Sequence, residues 1–177
     1  MEPKSNELLE FIKSRKSVRT FIHEKIDNAT IKEILDCGRW APSGNNTQPW
    51  KVCVVTHPTV KRMLAELSKY ESIIESAYVN FVIFLDHEKG YDRVKDIQAI
   101  GAFIENILLA VHAKGLGGAW IGEILQKKEQ VNEIFKFSKD KYELMALIAV
   151  GIIDQPMMNQ KSKERQRIDL DDFIEIY

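Results

Sequence analysis

The run Phe81-Val82-Ile83-Phe84-Leu85 constrains the fold more than any other stretch, because it is apolar without alternation. A strand with one face in water alternates apolar and polar residues, whereas a strand covered on both faces has no need of polar positions. The run therefore predicts a buried strand in a sheet with helices above and below it. Leu144 to Ile153 predicts a second buried strand, and this stretch is too short to span a bilayer as a helix.

Helical patterns supply the layers that such a sheet needs. The sequence Thr30-Ile31-Lys32-Glu33 is a capping-box pattern and predicts that a helix begins there. Pro42 predicts its end at Trp40 and Ala41. The segment Asp96 to Lys114 predicts the most apolar helix, which suits either the centre of the core or a subunit interface. The sequence shows no internal domain boundary, so residues 1–177 are predicted to form one domain.

The segment Ala41-Pro42-Ser43-Gly44-Asn45-Asn46-Thr47-Gln48-Pro49-Trp50 joins this helix to a strand predicted at Lys51 to Thr56. Turn formation explains the proline, the glycine and the first asparagine of this loop. A simple connection does not need the other polar side chains or the tryptophan as well. The loop is therefore interpreted either as a binding loop held by rigid elements or as an ordinary helix-to-strand connection.

Three cations and two hydroxyls fall between Ser14 and Arg19. Arg15, Ser17 and Arg19 alternate, so an extended segment would present two guanidinium groups and a hydroxyl on one side. This arrangement suits a phosphate, which accepts paired, charge-assisted hydrogen bonds. The alternative is a solvated basic helix end, favoured by the helix dipole.

Four glycines follow the apolar helix in the run Gly115-Leu116-Gly117-Gly118-Ala119-Trp120-Ile121-Gly122-Glu123. The run is not a dinucleotide fingerprint, because it follows a helix and because Trp120 stands where the third glycine would fall. It predicts a helix C-cap at Gly115 and then a short extended segment whose backbone a flat ligand can approach closely. The charged segment Asp86 to Asp96 predicts an exposed loop and the entrance to a site.

The overall charge and the reactive side chains exclude several functions. The formal net charge of -1, from 25 Lys and Arg against 26 Asp and Glu, predicts neither nucleic acid nor a membrane as partner. The four histidines lack the spacing of a zinc site, so no metal is predicted. Cys37 and Cys53 are predicted to be buried core residues. The amino terminus is too charged for a signal peptide, which predicts a cytoplasmic protein.

Side-chain catalysis has no visible basis, since neither an activated nucleophile nor an acid and base pair is evident. A protein with a phosphate-binding segment and no such chemistry is typical of one whose cofactor performs the reaction.

Four segments of the chain, in the same order, resemble the nitroreductase-like flavin mononucleotide (FMN) enzymes. They are Arg15 to Phe21, Ala41 to Trp50, Gly101 to Ala110 with Gly115 to Gly117 and Trp120 to Gly122, and the basic tail from Gln160 to Arg167. The resemblance implies an α+β fold, a three-layer sandwich in which helices flank a mainly antiparallel sheet. It also implies an intertwined homodimer with two flavins at its interface.

The resemblance further implies a set of cofactor-binding residues, with no catalytic side chain and no metal ligand. They are Arg15, Lys16, Ser17, Arg19, Pro42, Ser43, Gly44, Asn46, Gln48, Trp120, Ile121, Gly122, Arg165 and Arg167. By this resemblance Arg15, Ser17, Arg165 and Arg167 meet the phosphate, and Arg19 reaches the pyrimidine edge or the ribityl chain. The residues between Pro42 and Gln48 come from the partner subunit, and the backbone of Trp120 to Gly122 lies near the reactive nitrogen.

The activity implied is reduction of FMN by NADH or NADPH, followed by reduction of a nitroaromatic, quinone or similar small-molecule acceptor in a ping-pong mechanism. One alternative keeps the flavin and the fold but performs reductive dehalogenation or oxidation of a ring substrate. Another is a non-catalytic module that binds a phosphorylated ligand. At 177 residues the chain is short for the family, so the segment that covers the substrate is predicted within Tyr70 to Tyr78 or Asp86 to Asp96.

Overall fold

Seven helices and five strands make up the computed structural model, which describes residues 5–161 and 166–177. The helices are α1 (Ser5–Ser14), α2 (Asn28–Gly38), α3 (Pro58–Ala65), α4 (Glu71–Ser76), α5 (Arg93–Ala113), α6 (Lys128–Phe135) and α7 (Gln155–Lys161). The strands are β1 (Phe21–Ile22), β2 (Trp50–Val55), β3 (Val79–Asp86), β4 (Gly117–Ile121) and β5 (Tyr142–Ile153). Short 3₁₀ turns lie at Gly44–Asn46, Glu123–Lys127 and Leu170–Asp172.

All strand pairs are antiparallel, in the order β1-β5-β3-β2, with β4 also paired to β5. The long β5 organises the sheet, because β3 runs along one edge of it while β4 and β1 share the other. In register, Leu147 of β5 lies between Val82 of β3 and Ile121 of β4. The prediction of a mainly antiparallel sheet flanked by helices is confirmed.

Strand β3 is buried along its whole length, as the apolar run predicts. Its side chains alternate between two hydrophobic layers, so each face of the sheet needs its own cover. Val82 and Phe84 belong to the layer covered by α3, α4 and α6. Phe81, Ile83 and Leu85 belong to the layer covered by α2 and α5.

Helix α5 lies at the centre of the second layer and contacts most of the segments singled out in the sequence. Helix α2 approaches it closely, since a Cβ atom on Gly38 would lie 2.9 Å from both Phe103 and Ile107. Gly101 is different, because a Cβ atom there would have no neighbour within 4 Å. One face of α5 is therefore open in the protomer.

Three sequence predictions are wrong at α2, one of them its end, which lies at Gly38 and not at Trp40 or Ala41. The helix begins at Asn28, two residues before Thr30, because Asp27 accepts hydrogen bonds from the amide of Thr30 at 2.8 Å and from its hydroxyl at 2.7 Å. These bonds stabilise the carboxylate and lower the pKa of Asp27. Cys37 is exposed and not buried, because it lies at the edge of the face that buries Ile31 and Ile34.

Cys53 is half-buried, and burial raises the pKa of its thiol. Among the helices of residues 5–161 and 166–177, none has both the length and the apolar content that crossing a bilayer requires.

Candidate active site

The basic segment lies directly beside β4. The amide of Val18 donates a hydrogen bond to the carbonyl of Gly118 at 3.0 Å, and the Val18 side chain is 3% exposed. Gly117 makes this approach possible, because a Cβ atom there would lie 2.7 Å from the Val18 Cγ1 atom. Ser17 and Arg19 on either side of Val18 are exposed. Residues 15–20 belong to no helix or strand, and the shared side of Arg15, Ser17 and Arg19 stays a prediction.

Arg15 is directed towards α5. Its Nε atom lies 3.6 Å from the Glu105 carboxylate, and its side chain is mostly buried. This ion pair fixes the guanidinium along the second half of α5, beyond the open position at Gly101. The segment and α5 therefore form one surface with β4.

His112 attaches the end of α1 to the same helix. Its ring stacks on Phe11 at 5.0 Å, and its Nε2 atom lies 2.8 Å from the Ser14 hydroxyl. Because that hydroxyl donates to the carbonyl of Phe11, it accepts from the ring, which assigns the Nε2–H tautomer. Burial, and then the positive charges of Arg15 and Lys16, lower the pKa of His112. No local pattern in the sequence predicts this contact.

The loop before β2 has an unusual backbone. Asn45, Asn46 and Gln48 have φ angles of 53°, 55° and 49°, in the left-handed region that residues other than glycine seldom adopt. Ser43 stabilises it, since its hydroxyl accepts from the Gln48 amide at 3.0 Å, and the Gln48 side chain donates to the Asn46 side chain at 3.2 Å. Strain of this kind persists where surrounding structure holds it, often at functional sites.

Thr47, which the sequence analysis did not select, carries an unsatisfied group in this loop. Its hydroxyl oxygen is buried and has no hydrogen-bond partner within the described residues. Buried polar atoms are almost always paired, so this atom indicates that the loop is completed by a ligand, water or another chain.

The carboxyl-terminal end of the loop is fixed to the core. Trp50 stacks on Phe103 of α5 at 4.8 Å, and the carbonyl of Pro49 accepts a hydrogen bond from the Asp86 amide at 2.8 Å. The loop is therefore presented rigidly beside the first half of α5.

A groove of about 310 Å³ separates the loop from α5. It is lined by Pro42, Ser43, Gly44, Tyr91, Lys95, Gln98, Ala99 and Ala102. Tyr91 falls in the segment predicted to be a site entrance, whereas the sequence did not indicate Lys95 and Gln98. Their spacing of three residues along a helix is the signal that could have placed them on one face.

The end of β4 is held by Glu123, which the sequence analysis also missed. Its carboxylate accepts from the Ser68 hydroxyl at 2.7 Å and from the Lys69 amide at 3.3 Å. Trp120 is 42% exposed, Ile121 is buried, and a Cβ atom on Gly122 would lie 3.9 Å from the Trp120 Nε1 atom. The extended segment predicted after Gly115 is strand β4, which ends at Ile121, whereas Gly122 has helical backbone angles. Contact of this backbone with a ligand stays a prediction.

The structure thus brings Arg15, Ser17 and Arg19 next to β4, but places the Pro42 to Gln48 loop near the other half of α5. Arg167 is exposed and donates to the carbonyl of Gln166 at 3.0 Å. No hydrogen bond or ion pair joins Arg167 to another predicted site residue within residues 5–161 and 166–177. Arg165 lies outside the described residues.

Such a surface, with guanidinium and hydroxyl groups at one end and an open glycine backbone at the other, is typical of proteins that bind a flat, phosphorylated cofactor. Comparison with known proteins then gives the family. The family model described as "Nitroreductase family" matches residues 12–77 and 65–152. The chain belongs to the nitroreductase family.

Two of the proteins similar to this chain match nearly all of it, and a third matches part of it. YfhC of Bacillus subtilis (strain 168), named as a candidate NAD(P)H nitroreductase, is 30% identical over 180 residues, covering 90% of this chain and 92% of that protein. A candidate nitroreductase from Desulfovibrio desulfuricans, solved in complex with FMN, is 32% identical, with a TM-score of 0.89 over 98% of this chain and 99% of that one. Iodotyrosine deiodinase of Drosophila melanogaster is 37% identical over 68 residues, covering 38% of this chain and 24% of that protein.

Proposed function

We propose that this chain is a single-domain, cytoplasmic, FMN-dependent oxidoreductase that uses NADH or NADPH to reduce nitroaromatic, quinone or similar acceptors. The observation that carries the proposal is the Val18 to Gly118 hydrogen bond, which joins the basic segment to strand β4 in one protomer. A nitro compound would accept two electrons and two protons from NAD(P)H and solvent, giving the nitroso product and water. A quinone would give the hydroquinone.

The basic segment and the end of β4 both contain residues that could bind FMN. Arg15, Lys16 and Ser17 would hold the phosphate together with Arg165 and Arg167, because guanidinium groups form paired hydrogen bonds with phosphate oxygens. Arg19 would lie at the pyrimidine edge or the ribityl chain. The backbone of Trp120, Ile121 and Gly122 would contact the ring. Bound FMN supplies two-electron transfer between donor and acceptor, which no side chain of this surface can perform.

The Pro42 loop of one copy of the chain would contact the FMN that is held mainly by the other copy. Its hydrogen-bonding groups, on Ser43, Asn46 and Gln48 with the backbone of Pro42 and Gly44, are held in a strained backbone. The Thr47 hydroxyl has no hydrogen-bond partner within residues 5–161 and 166–177, which supports a loop that another group completes. A cofactor held mainly by the partner would complete it.

We propose a homodimer formed across the open face of α5. Glycine inside a helix costs about 1 kcal/mol relative to alanine, and no described residue lies within 4 Å of a Cβ atom built at position 101. Close approach of a second helix would explain it. The carboxyl-terminal segment is also exposed, with Ile168 at 69% and Ile176 at 93%. Apolar side chains left in water over such a length are typical of an interface.

The positions of the site segments along α5 fit such a dimer. The loop lies beside Gln98, and Arg15 lies beside Glu105. A two-fold axis at Gly101 would make the two copies of α5 antiparallel, so that Gln98 of one copy faces residue 104 of the other. Residue 104 is next to Glu105, at a rise of about 1.5 Å along the helix. The loop of each copy would then meet the basic segment of its partner.

The proposal is tested by purifying the protein, recording its visible absorption with and without added FMN, and mixing the holoenzyme anaerobically with NADH or NADPH. We expect a yellow protein whose flavin is bleached by at least one nucleotide and recoloured by a nitroaromatic or a quinone. Parallel lines in double-reciprocal plots would support the ping-pong order. A protein that stays colourless with added FMN would overturn the proposal.

Dehalogenation is the second candidate, favoured by the partial similarity to iodotyrosine deiodinase. It predicts that neither nucleotide reduces the flavin directly, while chemically reduced holoenzyme releases halide from a halogenated phenol. Halide measurement therefore separates the two candidates.

A further inference from the structure

A second cleft lies along α6, a helix that covers the face of the sheet opposite α2 and α5. The rest of its lining comes from the loop after α6, from the start of β5, and from His87 and Arg93 on either side of the turn before α5. Its volume is about 350 Å³, at the lower end of the range for ligand pockets. None of its lining residues is a predicted cofactor-binding residue, and Arg93 lies more than two turns of helix before Gly101. The cleft is therefore separate from the proposed flavin surface and from the proposed dimer contact.

Asn132 of α6 lines this cleft with an unused hydrogen-bond acceptor. The residue is 5% exposed, and its amide nitrogen donates to the carbonyl of Tyr142 at 2.7 Å. This bond fixes the orientation of the side-chain amide, because a carbonyl oxygen needs a donor. Within residues 5–161 and 166–177 the Asn132 amide oxygen has no hydrogen-bond partner. A polar side chain buried to this extent is normally paired, so the oxygen requires a donor from water or from a ligand.

Glu143 gives the cleft a fixed negative charge. Arg93 donates to both of its oxygens, from Nη2 at 2.8 Å and from Nε at 3.2 Å, and the His87 Nε2 atom lies 3.4 Å away. The hydrogen bond from Arg93 lowers the pKa of Glu143, so the carboxylate is ionised at neutral pH. A carboxylate has about four acceptor positions, and these contacts therefore leave room for a further donor.

The charges around the cleft balance, but one of each sign has no ion-pair partner. Three lysine or arginine side chains and three carboxylates line it, so it does not attract a phosphate or a polycation. Arg93 is paired with Glu143, and Lys139 lies 3.8 Å from Glu129. Lys128 and Asp140, both exposed, form no ion pair with any other described residue.

The spacing of these groups suits one small molecule. Lys128 stands one helical turn before Asn132, on the same face of α6. A carboxylate beside the lysine and an ammonium at the amide oxygen can therefore belong to the same ligand.

Tyr142 and Leu144 add an apolar part to the cleft. The Tyr142 ring packs on Phe137, with ring centres 4.6 Å apart, and Leu144 is 2% exposed. These side chains are held by the core, and a short aliphatic group would bury apolar surface against them.

We propose that this cleft binds a small zwitterion, a molecule of amino acid size that carries a primary ammonium, a carboxylate and a short aliphatic group. The ammonium donates to the Asn132 amide oxygen, and Asp140 at the rim supplies negative charge. The carboxylate lies at Lys128, and the aliphatic group contacts Tyr142. The site does not depend on the proposed flavin chemistry.

The test compares three ligands that share a carbon skeleton, using the full chain with added FMN at neutral pH. Leucine carries both charged groups, isocaproate lacks the ammonium, and isopentylamine lacks the carboxylate. We expect leucine to bind more tightly than isopentylamine by roughly threefold to fivefold, as an exposed charge pair allows. It should bind more tightly than isocaproate by roughly tenfold, because a charge-assisted hydrogen bond is lost as well. NMR titration of isotope-labelled protein gives the Kd values, and leucine should shift the side-chain amide signals of Asn132.

Two exposed substitutions separate the charged groups. Lys128→Gln should remove the preference over isopentylamine and keep the preference over isocaproate. Asp140→Asn should reduce only the preference over isocaproate. Lys127→Gln and Glu133→Gln are the matched controls, because each removes an exposed charge near the cleft from a residue that does not line it. Both controls should keep both preferences.

Three results would overturn the inference. Leucine could bind no more tightly than either analogue, which would show a site for a single charge or no site at all. Both preferences could persist in Lys128→Gln and Asp140→Asn, or leucine could leave the Asn132 side-chain signals unchanged, and either result would place the binding elsewhere.

Discussion

Gly44 shows how one missing side chain shapes the candidate site. The Tyr91 hydroxyl occupies the place where a Cβ atom would lie, at a distance of 2.1 Å. Gly44→Ala should therefore displace either the ring or the loop, and we expect weaker flavin binding and a lower Tm. Adding Tyr91→Ala removes the clash, so the double variant should recover much of both. Flavin titration and thermal unfolding of the single and double variants measure this coupling.

The control for this pair is Tyr91→Ala alone. Since the Tyr91 side chain is half-exposed and contributes little to the core, this variant should retain the wild-type flavin affinity. If Gly44→Ala is harmless, or if Tyr91→Ala fails to rescue it, the ring does not constrain the loop.

Substitution of single arginines, Arg15 or Arg167, tests the proposed binding of the FMN phosphate. Losing a charge-assisted hydrogen bond to a phosphate costs about 1.5 to 3 kcal/mol, or roughly tenfold to a hundredfold in Kd. We expect each of Arg15→Ala and Arg167→Ala to weaken FMN by this amount, but to weaken riboflavin, which lacks the phosphate, much less. Fluorescence titration with both flavins gives the comparison.

Arg62→Ala serves as the control in that experiment, because Arg62 is an exposed arginine paired with Glu75 at 3.6 Å. Equal losses for FMN and riboflavin in the Arg15 variant would mean that Arg15 acts on the fold and not on the phosphate.

At the scale of elements, the junction of α1 with α5 is predicted to be sensitive to acid. Burial and the charges of Arg15 and Lys16 lower the pKa of His112 below its ordinary 6.5. The unfolded chain therefore takes up the proton more readily than the folded chain as pH falls below about 6.5. The free energy of unfolding therefore decreases as the pH falls below about 6.5. This decrease is complete once the pH is below the pKa of His112 in the folded protein. A bound phosphate would oppose this loss by raising the pKa.

Thermal unfolding between neutral and mildly acidic pH checks this expectation. The Tm of the flavin-free protein should fall more steeply in the wild type than in His112→Gln, and FMN should reduce the difference. His23→Gln removes an exposed histidine and should behave like the wild type. Identical pH profiles for the wild type and His112→Gln would contradict the assignment.

The longest elements are the ones that local sequence predicts well. Strand β3 and helix α5 have continuous apolar patterns, so burial alone identifies them. Strand β1 is different, because Phe21 and Ile22 form a strand only by pairing with Ile153 and Ile152 of β5. Helix α4 spans six residues, which is too short for periodicity to identify. The start of α2 is hard to predict for a local reason, since Asp27 and Thr30 are both residues that can cap a helix.

At the scale of the whole molecule, the exposed carboxyl-terminal segment predicts dependence on a second copy. Removing residues 168–177 deletes no residue of either hydrophobic layer, so circular dichroism should report unchanged helix and strand content. If this segment packs on the partner subunit, the truncated protein should be a monomer by light scattering. It should also lose its flavin. A truncated protein that remains a dimer with full flavin occupancy would contradict the proposed assembly.

Much of the candidate site could be predicted from the sequence because its hydrogen-bonding groups are dense in short segments. The basic segment at Arg15 and the polar loop after Pro42 each contain more hydrogen-bonding groups than a helix end or a turn requires. The residues that position these segments could not be read in the same way. Glu105, His112 and Glu123 act through partners that lie far away along the chain, so no local pattern marks them.

The sequence by itself determined that the sheet is covered on both faces, that α5 is the most apolar helix, and that a polar loop and a basic segment flank the core. These properties follow from composition and periodicity over a few residues. Only the tertiary structure decided that Val18 joins the basic segment to β4, that Tyr91 lies on Gly44, and that the loop and the segment lie along different halves of α5. The reason is physical: each of these contacts depends on two distant segments meeting, and their approach is set by the packing of the sheet and helices between them.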